Sequence, residues 1–302
     1  MNRRTFLQTS FAGVTGAVTA LRLNAAGNPD VSFPTAPRER LAVASYPFRK
    51  SFGRHGKMTL LDFPKFVVEQ YNVPGIEPLD EHFASTEPAY LEKFRKALDD
   101  AKAHVVNVPV GRVHGSFYDP DPAKRKVAVE TAKKWVDVAV VVGSPSVRNH
   151  IQGGKGFKPD STLAAEALKQ VADYGAEKNV VVHLENDDAQ TEEAFFLLDI
   201  IGKAGTPWLR TLPDFCNSML LGRGEDYNYK AMSALFEHAY GICHVKDSEQ
   251  DGKKMYHIDM AKTFGIAKAA NYRGYFSMEF DADADAAAPT KELVETSLKL
   301  LS

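Results

Sequence analysis

Short apolar segments alternate with longer helical patterns along most of this 302-residue chain. Each apolar segment has the length of a buried strand. Most of the intervening segments repeat apolar residues every three or four positions, as amphipathic helices do. Eight such pairs follow one another between residue 40 and the end of the chain. Because each helix returns the chain to the same end of the sheet, this alternation predicts a parallel sheet.

The predicted strands and helices match one common architecture. The strands cover residues 40–46, 75–79, 104–110, 145–150, 179–185, 209–215, 242–247 and 275–281. The helices cover residues 60–71, 88–103, 123–142, 163–178, 191–205, 230–239, 260–270 and 290–301. Eight strand–helix units fit a single-domain (β/α)8 TIM barrel, an α/β fold. A doubly wound open sheet is the alternative, but residues 45–56 lack the Gly-rich phosphate turn that such sheets carry after their first strand.

The composition excludes several classes of protein. The formal net charge is −2, whereas a nucleic-acid-binding protein is usually strongly basic. Two cysteines, Cys216 and Cys243, do not make a disulfide scaffold, and we expect both to be buried free thiols. No apolar run approaches the roughly 20 residues that a membrane helix needs, so no membrane anchor is expected. The sequence does not indicate an oligomeric state.

The N-terminus resembles a twin-arginine export signal. Arg3 and Arg4 precede the bulky pair Phe6 and Leu7, and a weakly apolar stretch follows at 11–23. This order predicts a signal peptide at residues 1–25, export by the twin-arginine machinery and a periplasmic location. Residues 26–39 are rich in proline and polar residues, and are predicted to be a linker that precedes the barrel at 40–302. The alternative is a chance arginine pair in a cytosolic protein.

Four ionisable residues mark the ends of four consecutive predicted strands: Glu185, Asp214, His244 and Glu279. In TIM barrels the functional groups lie where strands end and loops begin. Because neighbouring strands are about 4.8 Å apart, these side chains can converge on one point. Three ionised carboxylates repel one another there unless a cation joins them. The pattern therefore predicts one divalent metal ion, with Mn²⁺ expected first and Mg²⁺, Co²⁺ or Zn²⁺ as alternatives.

Six further residues are candidates for substrate binding because they lie at or near strand ends. They are Lys246, Asn217, His183, Glu77, Arg148 and Asp281. Lys246 shares the inward face with His244 and is expected either to hold a substrate oxygen or to pair with Asp281. His183 lies one layer deeper than Glu185, which favours a structural or supporting role. For Glu77 and Arg148, a structural ion pair is an equally good interpretation.

The motifs "HLEN", "PDFCN", "CHVKD" and "SMEFD" resemble those of the xylose isomerase-like barrel superfamily, which includes sugar isomerases and epimerases. The resemblance covers the chain from about residue 40 onward. It implies that Glu185, Asp214, His244 and Glu279 bind one divalent metal, and that the two glutamates move protons. Thr191, Asn217 and Gln250 stand where the ketose 3-epimerases of this superfamily carry other substrate-binding residues. A simple ketohexose is therefore less expected than another sugar or a keto-sugar.

The resemblance implies a metal-dependent sugar isomerase or epimerase that works through an enediolate. Two alternatives stay open. One is a metal-dependent lyase or hydrolase acting on 3-keto-glycosides, which shares the metal and the base. The other is an exported barrel that binds a sugar without turnover. The basic, Gly-rich loop at 48–58 is either a lid over the substrate or a solvated loop.

Overall fold

The computed structural model describes residues 27–52, 56–111, 115–151, 153, 156–188, 191–282 and 284–302. The predicted signal peptide therefore lies outside the described residues, and the 48–58 loop lies within them only in part. Among the described helices, none combines the length and the apolar character that a membrane crossing requires.

The described chain has eleven strands and eight α-helices. The strands are β1 Leu41–Ala44, β2 Gly75–Glu77, β3 His104–Val105, β4 Val108–Val110, β5 Ser146–Asn149, β6 Val181–Glu185, β7 Leu209–Leu212, β8 Ile242–Val245, β9 Ser248–Asp251, β10 Lys254–His257 and β11 Tyr275–Met278. The helices are α1 Phe63–Tyr71, α2 Pro88–Ala101, α3 Pro122–Val142, α4 Ser161–Glu177, α5 Ala194–Ala204, α6 Glu225–Phe236, α7 Met260–Ala269 and α8 Ala287–Leu301.

The strands close into a parallel barrel, which confirms the predicted single-domain (β/α)8 fold. One parallel run has the order β3-β2-β1-β11-β8 and the other has the order β4-β5-β6-β7. The parallel bridge between Asp214 and His244 joins β7 to β8, and the backbone hydrogen bond from His244 N to Pro213 O (3.0 Å) supports that junction. Since β3 and β4 are consecutive in the chain, they act together as the third barrel strand.

The third barrel strand is interrupted, although the apolar run at 104–110 predicts one continuous strand. The break falls at Val106 and Asn107. The side chain of Asn107 is fully buried and donates a hydrogen bond to the carboxylate of Glu77 (2.8 Å). Pro109 in β4 has no N–H to donate to a neighbouring strand. A buried polar side chain and a proline therefore weaken the ladder here without interrupting the apolar pattern.

An antiparallel hairpin, β9–β10, follows the seventh barrel strand and was not predicted from the sequence. Its two-residue turn consists of Gly252 and Lys253, and Gly252 adopts a positive φ of 59° that glycine reaches without strain. Its residues are mostly polar, and most of β10 is exposed. The alternation of apolar and polar residues that identifies a half-buried strand is therefore missing.

The start of the predicted linker packs against the floor of the barrel, where the strands begin. We call residues 27–33 the floor segment. Nε1 of Trp208 donates to the backbone oxygen of Gly27 (2.7 Å), and the hydroxyl of Tyr240 donates to the backbone oxygen of Pro29 (2.8 Å). The ring of Phe33 lies edge-on to that of Tyr240 at 5.4 Å. The candidate site lies at the opposite end of the barrel, where the strands finish.

Candidate metal centre at the mouth of the barrel

The structure brings together all four predicted metal ligands. Glu185 ends β6, Asp214 lies two residues beyond β7, His244 lies within β8 and Glu279 follows β11 directly. One potential ligand atom from each lies within 4.8 Å of the others, and all four residues are buried. They meet because parallel barrel strands end at the same level. The role of these residues as metal ligands stays a prediction.

His244 lies at the centre of the cluster. Its Nδ1 is 2.7 Å from Oε1 of Glu185 and 3.0 Å from Oε2 of Glu279. Burial opposes a charge on the imidazole. The nearby carboxylates outweigh that effect and hold the pKa of His244 well above its usual value. The ring therefore faces both glutamates through one nitrogen, and these glutamates come from strands on either side of it.

Asp214 uses its two carboxylate oxygens differently. Oδ1 accepts backbone hydrogen bonds from Cys216 (2.9 Å) and Asn217 (2.8 Å), which stabilises the turn that follows. Oδ2 faces the cluster, and no described residue donates a hydrogen bond to it. Burial raises the pKa of Asp214 to about 7, although the nearby Lys246 opposes that rise. One oxygen is therefore held in place by the backbone, while the other faces the centre with the ammonium of Lys246 3.3 Å away.

A divalent cation fits this set of side chains. Oδ2 of Asp214 and Oε2 of Glu185 are buried and, within the described chain, accept no well-aligned hydrogen bond. Each of these oxygens has a cation nearby, Lys246 for Asp214 and Arg148 for Glu185, but burying a carboxylate oxygen that accepts no hydrogen bond is costly. Three carboxylates and one imidazole form an oxygen-rich set that suits Mn²⁺ or Mg²⁺ better than a thiolate-type zinc site. Cys216 and Cys243 are buried free thiols, as expected.

Lys246 is buried beside the cluster. Its Nζ lies 3.3 Å from Oδ2 of Asp214 and 3.4 Å from Oε2 of Glu279. Nζ also donates to Oδ1 of Asn217 (3.0 Å) and to Oε2 of Glu249 (2.9 Å). Burial opposes the charge, but the carboxylates around it hold the pKa of Lys246 well above its usual value. Lys246 therefore supplies a fixed positive charge at the edge of the centre.

Asp281 was one of the two predicted partners of Lys246, but its own ion-pair and hydrogen-bond partners are Arg49 and Tyr46. Its Oδ1 lies 2.8 Å from NH2 of Arg49, and its Oδ2 accepts from the hydroxyl of Tyr46 (3.0 Å). The guanidinium of Arg49 also lies over the Tyr46 ring, 4.1 Å from its centroid. Asp281 thus connects the end of the last strand to the segment after β1. That contact joins distant parts of the chain, so strand spacing alone does not reveal it.

The centre opens into a cavity of about 250 Å³ at the mouth of the barrel. Glu185, Glu279, Lys246, Asp281 and Arg148 contribute to its lining. Nε of Arg148 lies 2.9 Å from Oε2 of Glu185, but the two are not aligned for a hydrogen bond. NH1 of Arg148 is buried and has no hydrogen-bond partner among the described residues. This guanidinium can therefore donate to a substrate oxygen.

Two of the residues predicted to bind substrate lie in the protein interior and are bonded to protein groups, and their role in substrate binding stays a prediction. Glu77 is fully buried, and its carboxylate is bonded to other side chains beneath the centre. His183 is also fully buried, and its Nε2 accepts from the backbone N–H of Gly241 (3.3 Å). A Cβ at position 241 would lie 2.6 Å from the His183 ring, so glycine is required for this contact. Burial lowers the pKa of His183 to about 3.

Sequence reasoning missed a second polar group on the cavity wall. Nδ1 of His150 lies 2.9 Å from Oε2 of Glu192, and Nε2 lies 3.1 Å from Oδ2 of Asp187. His150 ends the fourth predicted strand, which is the signal that could have revealed it. Glu192 follows Thr191, the position where ketose 3-epimerases carry a substrate-binding glutamate. Here the glutamate is turned toward His150 and the backbone N–H of Ile151.

Comparison with known proteins identifies relatives of this fold. The family model described as xylose isomerase-like TIM barrel matches residues 67–302. A xylose isomerase-like TIM barrel protein from Mycobacterium smegmatis, solved in complex with magnesium, superposes with a TM-score of 0.70 at 16% identity, covering 89% of this chain and 98% of the other. No curated protein sequence matches this chain significantly.

Two further solved structures show the same architecture. The 3-keto-D-glucoside 4-epimerase from E. coli has a TM-score of 0.64 at 16% identity and covers 86% of this chain and 98% of its own. The D-allulose 3-epimerase from Methylomonas sp. has a TM-score of 0.65 at 15% identity and covers 89% of this chain and 98% of its own. At these identities the likeness establishes the fold.

Proposed function

Because the chain belongs to the xylose isomerase-like TIM barrel family, we propose that it is a divalent-metal-dependent enzyme of the sugar isomerase or epimerase type. The observation that carries the proposal is the convergence of Glu185, Asp214, His244 and Glu279 within 4.8 Å at the mouth of the barrel. Two relatives in fold are sugar epimerases by name, and a third was solved with magnesium, which supports this class of reaction and of cofactor.

The four residues of the cluster would hold the metal ion, for which Mn²⁺ is our first expectation. A divalent ion bound there would polarise a sugar carbonyl and offset the negative charge that develops on the substrate oxygens. The protein supplies the rest of the chemistry. Glu185 and Glu279 reach the centre from β6 and from the end of β11, which are separated by two strands. One glutamate removes the proton beside the carbonyl, and the other returns a proton.

The face and the carbon to which the proton returns decide the product. Return to the opposite face of the same carbon gives an epimer, whereas return to the former carbonyl carbon gives an isomer. Arg148 and Lys246 line the same cavity and are positioned to donate hydrogen bonds to substrate oxygens. Because these two cations are fixed beside Glu185 and Glu279, they also reduce the repulsion among the carboxylates.

We propose an uncharged sugar or keto-sugar as the substrate. The cavity cations already have acidic neighbours: Arg148 has Glu185, and Lys246 has Glu249. A phosphate ester would need cations that are not already neutralised, and the part of the cavity lining that the structure describes offers no cluster of them. Export through the twin-arginine machinery would place the enzyme in the periplasm, where non-phosphorylated sugars are expected.

Hydrogen exchange measured by NMR in D₂O tests this function. Protein loaded with Mn²⁺ would be incubated with a panel of free sugars and 3-keto-glycosides, and the substrates would then be separated from the metal for analysis. We expect deuterium at one carbon of the true substrate, and exchange that depends on added metal. Glu185→Gln and Glu279→Gln should each lower the rate about 10²–10⁴-fold at saturating metal. Glu225→Gln, an exposed control on α6, should leave the rate unchanged.

The outcome also separates the two alternatives. A lyase or hydrolase acting on 3-keto-glycosides would release the aglycone, and the same NMR spectra would show it. Sugar binding without exchange or product, by wild-type protein with bound metal, would favour a non-catalytic exported sugar-binding barrel. Near-normal turnover by both glutamine variants at saturating metal would contradict the two-carboxylate mechanism.

A further inference from the structure

We infer that Glu77 is a positioning residue that fixes the ring of His244 so that Nδ1, and not Nε2, faces the metal centre. The inference deepens the proposed function and rests on it, because it assigns the ligand atom of one proposed metal ligand. Glu77 ends β2, which is separated from β8 by two strands, β1 and β11. Its side chain has no solvent exposure. Burying a carboxylate is costly unless hydrogen bonds or a nearby cation stabilise it, so its partners have to account for its position.

The two nitrogens of the His244 ring face different carboxylates. Nε2 lies 3.0 Å from both Oε1 and Oε2 of Glu77. Nδ1 lies 2.7 Å from Oε1 of Glu185 and 3.0 Å from Oε2 of Glu279. Glu185 and Glu279 belong to the proposed metal site, whereas Glu77 does not. The ring is therefore held between the centre on one side and Glu77 on the other.

The carboxylate of Glu77 is itself held by neighbouring strands. Oε2 accepts from the hydroxyl of Ser277 in β11 (2.6 Å), and Oε1 accepts from Nδ2 of Asn107 (2.8 Å). Oδ1 of Asn107 accepts in turn from the hydroxyl of Ser146 (2.7 Å). Since each partner is a buried side chain on a different barrel strand, the carboxylate has little freedom to move. Its position relative to His244 is thus set by the barrel.

A carboxylate can only accept hydrogen bonds when it is ionised, so its contact with Nε2 requires a proton on Nε2. Nδ1 faces the carboxylates of Glu185 and Glu279 and by the same rule carries a proton until a cation joins them. A bound metal would displace that proton, whereas the proton on Nε2 stays hydrogen-bonded to Glu77, so Nδ1 is the nitrogen that becomes available to the metal. The negative charge of Glu77 also increases the electron-donating strength of the ring. Carboxylates that support a metal-bound histidine in this way typically contribute 10–100-fold in metal affinity.

Two variants separate the hydrogen bond of Glu77 from its charge. Glu77→Gln keeps an oxygen that can accept from His244 and Asn107, while its amide can donate to Ser277, so mainly the charge is lost. Glu77→Met keeps a similar length and removes both acceptors. Glu225→Gln is the control, because Glu225 is an exposed glutamate on α6 and lies outside every group of described residues that could hold a metal ion.

The first measurement is the affinity for Mn²⁺, determined by competition with a chelator. We expect a 10–100-fold weaker affinity for Glu77→Met, a smaller loss for Glu77→Gln and no more than about a threefold change for Glu225→Gln. The second is long-range ¹H–¹⁵N NMR of the imidazoles in Zn²⁺-loaded wild-type protein. It should show a proton on Nε2 of His244 and the metal on Nδ1.

The results that overturn the inference differ from those that overturn the proposed function. Metal on Nε2 of His244, or folded Glu77→Gln and Glu77→Met proteins that bind Mn²⁺ as tightly as wild type, would overturn the inference alone. If Glu77→Met does not fold, Glu77→Gln and the wild-type NMR spectrum decide. A wild-type protein that binds no divalent ion would overturn the proposed function, and the inference with it. A loss of thermal stability without a change in metal affinity would show that Glu77 has only a structural role.

Discussion

Nζ of Lys246 lies 2.9 Å from Oε2 of Glu249, the second residue of the β9–β10 hairpin. Both side chains are buried, and Nζ also donates to Oδ1 of Asn217. The hairpin therefore does more than connect β8 to α7, because it fixes the direction in which this lysine points. A flexible four-carbon side chain becomes a fixed donor at the edge of the cavity.

Lys246→Met should lower kcat/KM about 10–100-fold on the substrate found by deuterium exchange. The reason is the loss of a charged donor, and hydrogen bonds to charged groups are typically worth about 1.5–3 kcal/mol. Steady-state kinetics at saturating metal would measure the effect. Lys254→Met, an exposed change in β10 of the same hairpin, is the control and should retain wild-type kinetics. Equal kinetics for the two variants would exclude Lys246 from substrate binding.

Asp214→Ala and His244→Ala should each reduce the bound metal to near nothing after gel filtration, as measured by elemental analysis. Each change removes one of four proposed ligands from a buried cluster, and leaves a weaker and more open site. Asp247→Ala is the control, because Asp247 is exposed and follows the same strand. Full metal occupancy in both ligand variants would show that the ion binds elsewhere.

His82 should make the protein less stable as the pH falls from about 6.5 to about 4. Burial lowers the pKa of His82 to about 4, and the ring stacks on Phe52 at 4.0 Å. The hydroxyl of Ser45 accepts from the backbone N–H of Leu79 (2.9 Å) and lies within hydrogen-bond distance of Nδ1 of His82 (2.8 Å). The unfolded chain takes up its proton near pH 6.5 and the folded protein only near pH 4, so the proton favours unfolding within this window.

The comparison that tests this is thermal unfolding of wild type and His82→Phe at several pH values between 7 and 4. The phenylalanine keeps a ring against Phe52 and cannot titrate, so its stability should fall less steeply, by about 2 kcal/mol over the window after allowance for partial exposure. His257→Phe, at an exposed position, is the control. Parallel curves for His82→Phe and wild type would contradict the prediction.

Replacing Arg3 and Arg4 by lysine should retain the full-length precursor in the cytoplasm. The twin-arginine pair is the sequence feature on which the export prediction depends. Cell fractionation and immunoblotting of both forms would show the location and size of the protein. If the double-lysine variant is exported and shortened like wild type, the N-terminus is not a twin-arginine signal.

The fold was predictable because the barrel strands are buried on both faces and therefore appear as apolar runs. The same regularity placed Glu185 and Glu279 at strand ends, from which their convergence follows. How deep each charged side chain lies within the barrel was not predictable from the sequence. Glu77 and Arg148 both end or nearly end predicted strands, yet one is bonded beneath the centre and the other lines the cavity. Strand position indicates which face a side chain occupies, but not how far from the mouth its charged atoms lie.

Contacts between distant loops could not be predicted from the sequence either. Asp281 and Arg49 are separated by 232 residues, and His150 and Glu192 by 42 residues. In each pair a charged side chain from one loop contacts a partner in another loop. The periodicity of the sequence does not indicate which loops will be in contact. The β9–β10 hairpin was missed because its polar residues resemble a loop.

The floor segment has a consequence for the order of folding. The hydrogen bond between Trp208 and Gly27 spans 181 residues, and the one between Tyr240 and Pro29 spans 211. Contacts of such separation form only after the intervening chain has been synthesised and has assembled, since closing a long loop must be compensated by a surface that already exists. We therefore expect the floor segment to dock late in the assembly of the barrel. The indole of Trp208 takes part in that contact, and its fluorescence offers a natural signal for the completion of folding.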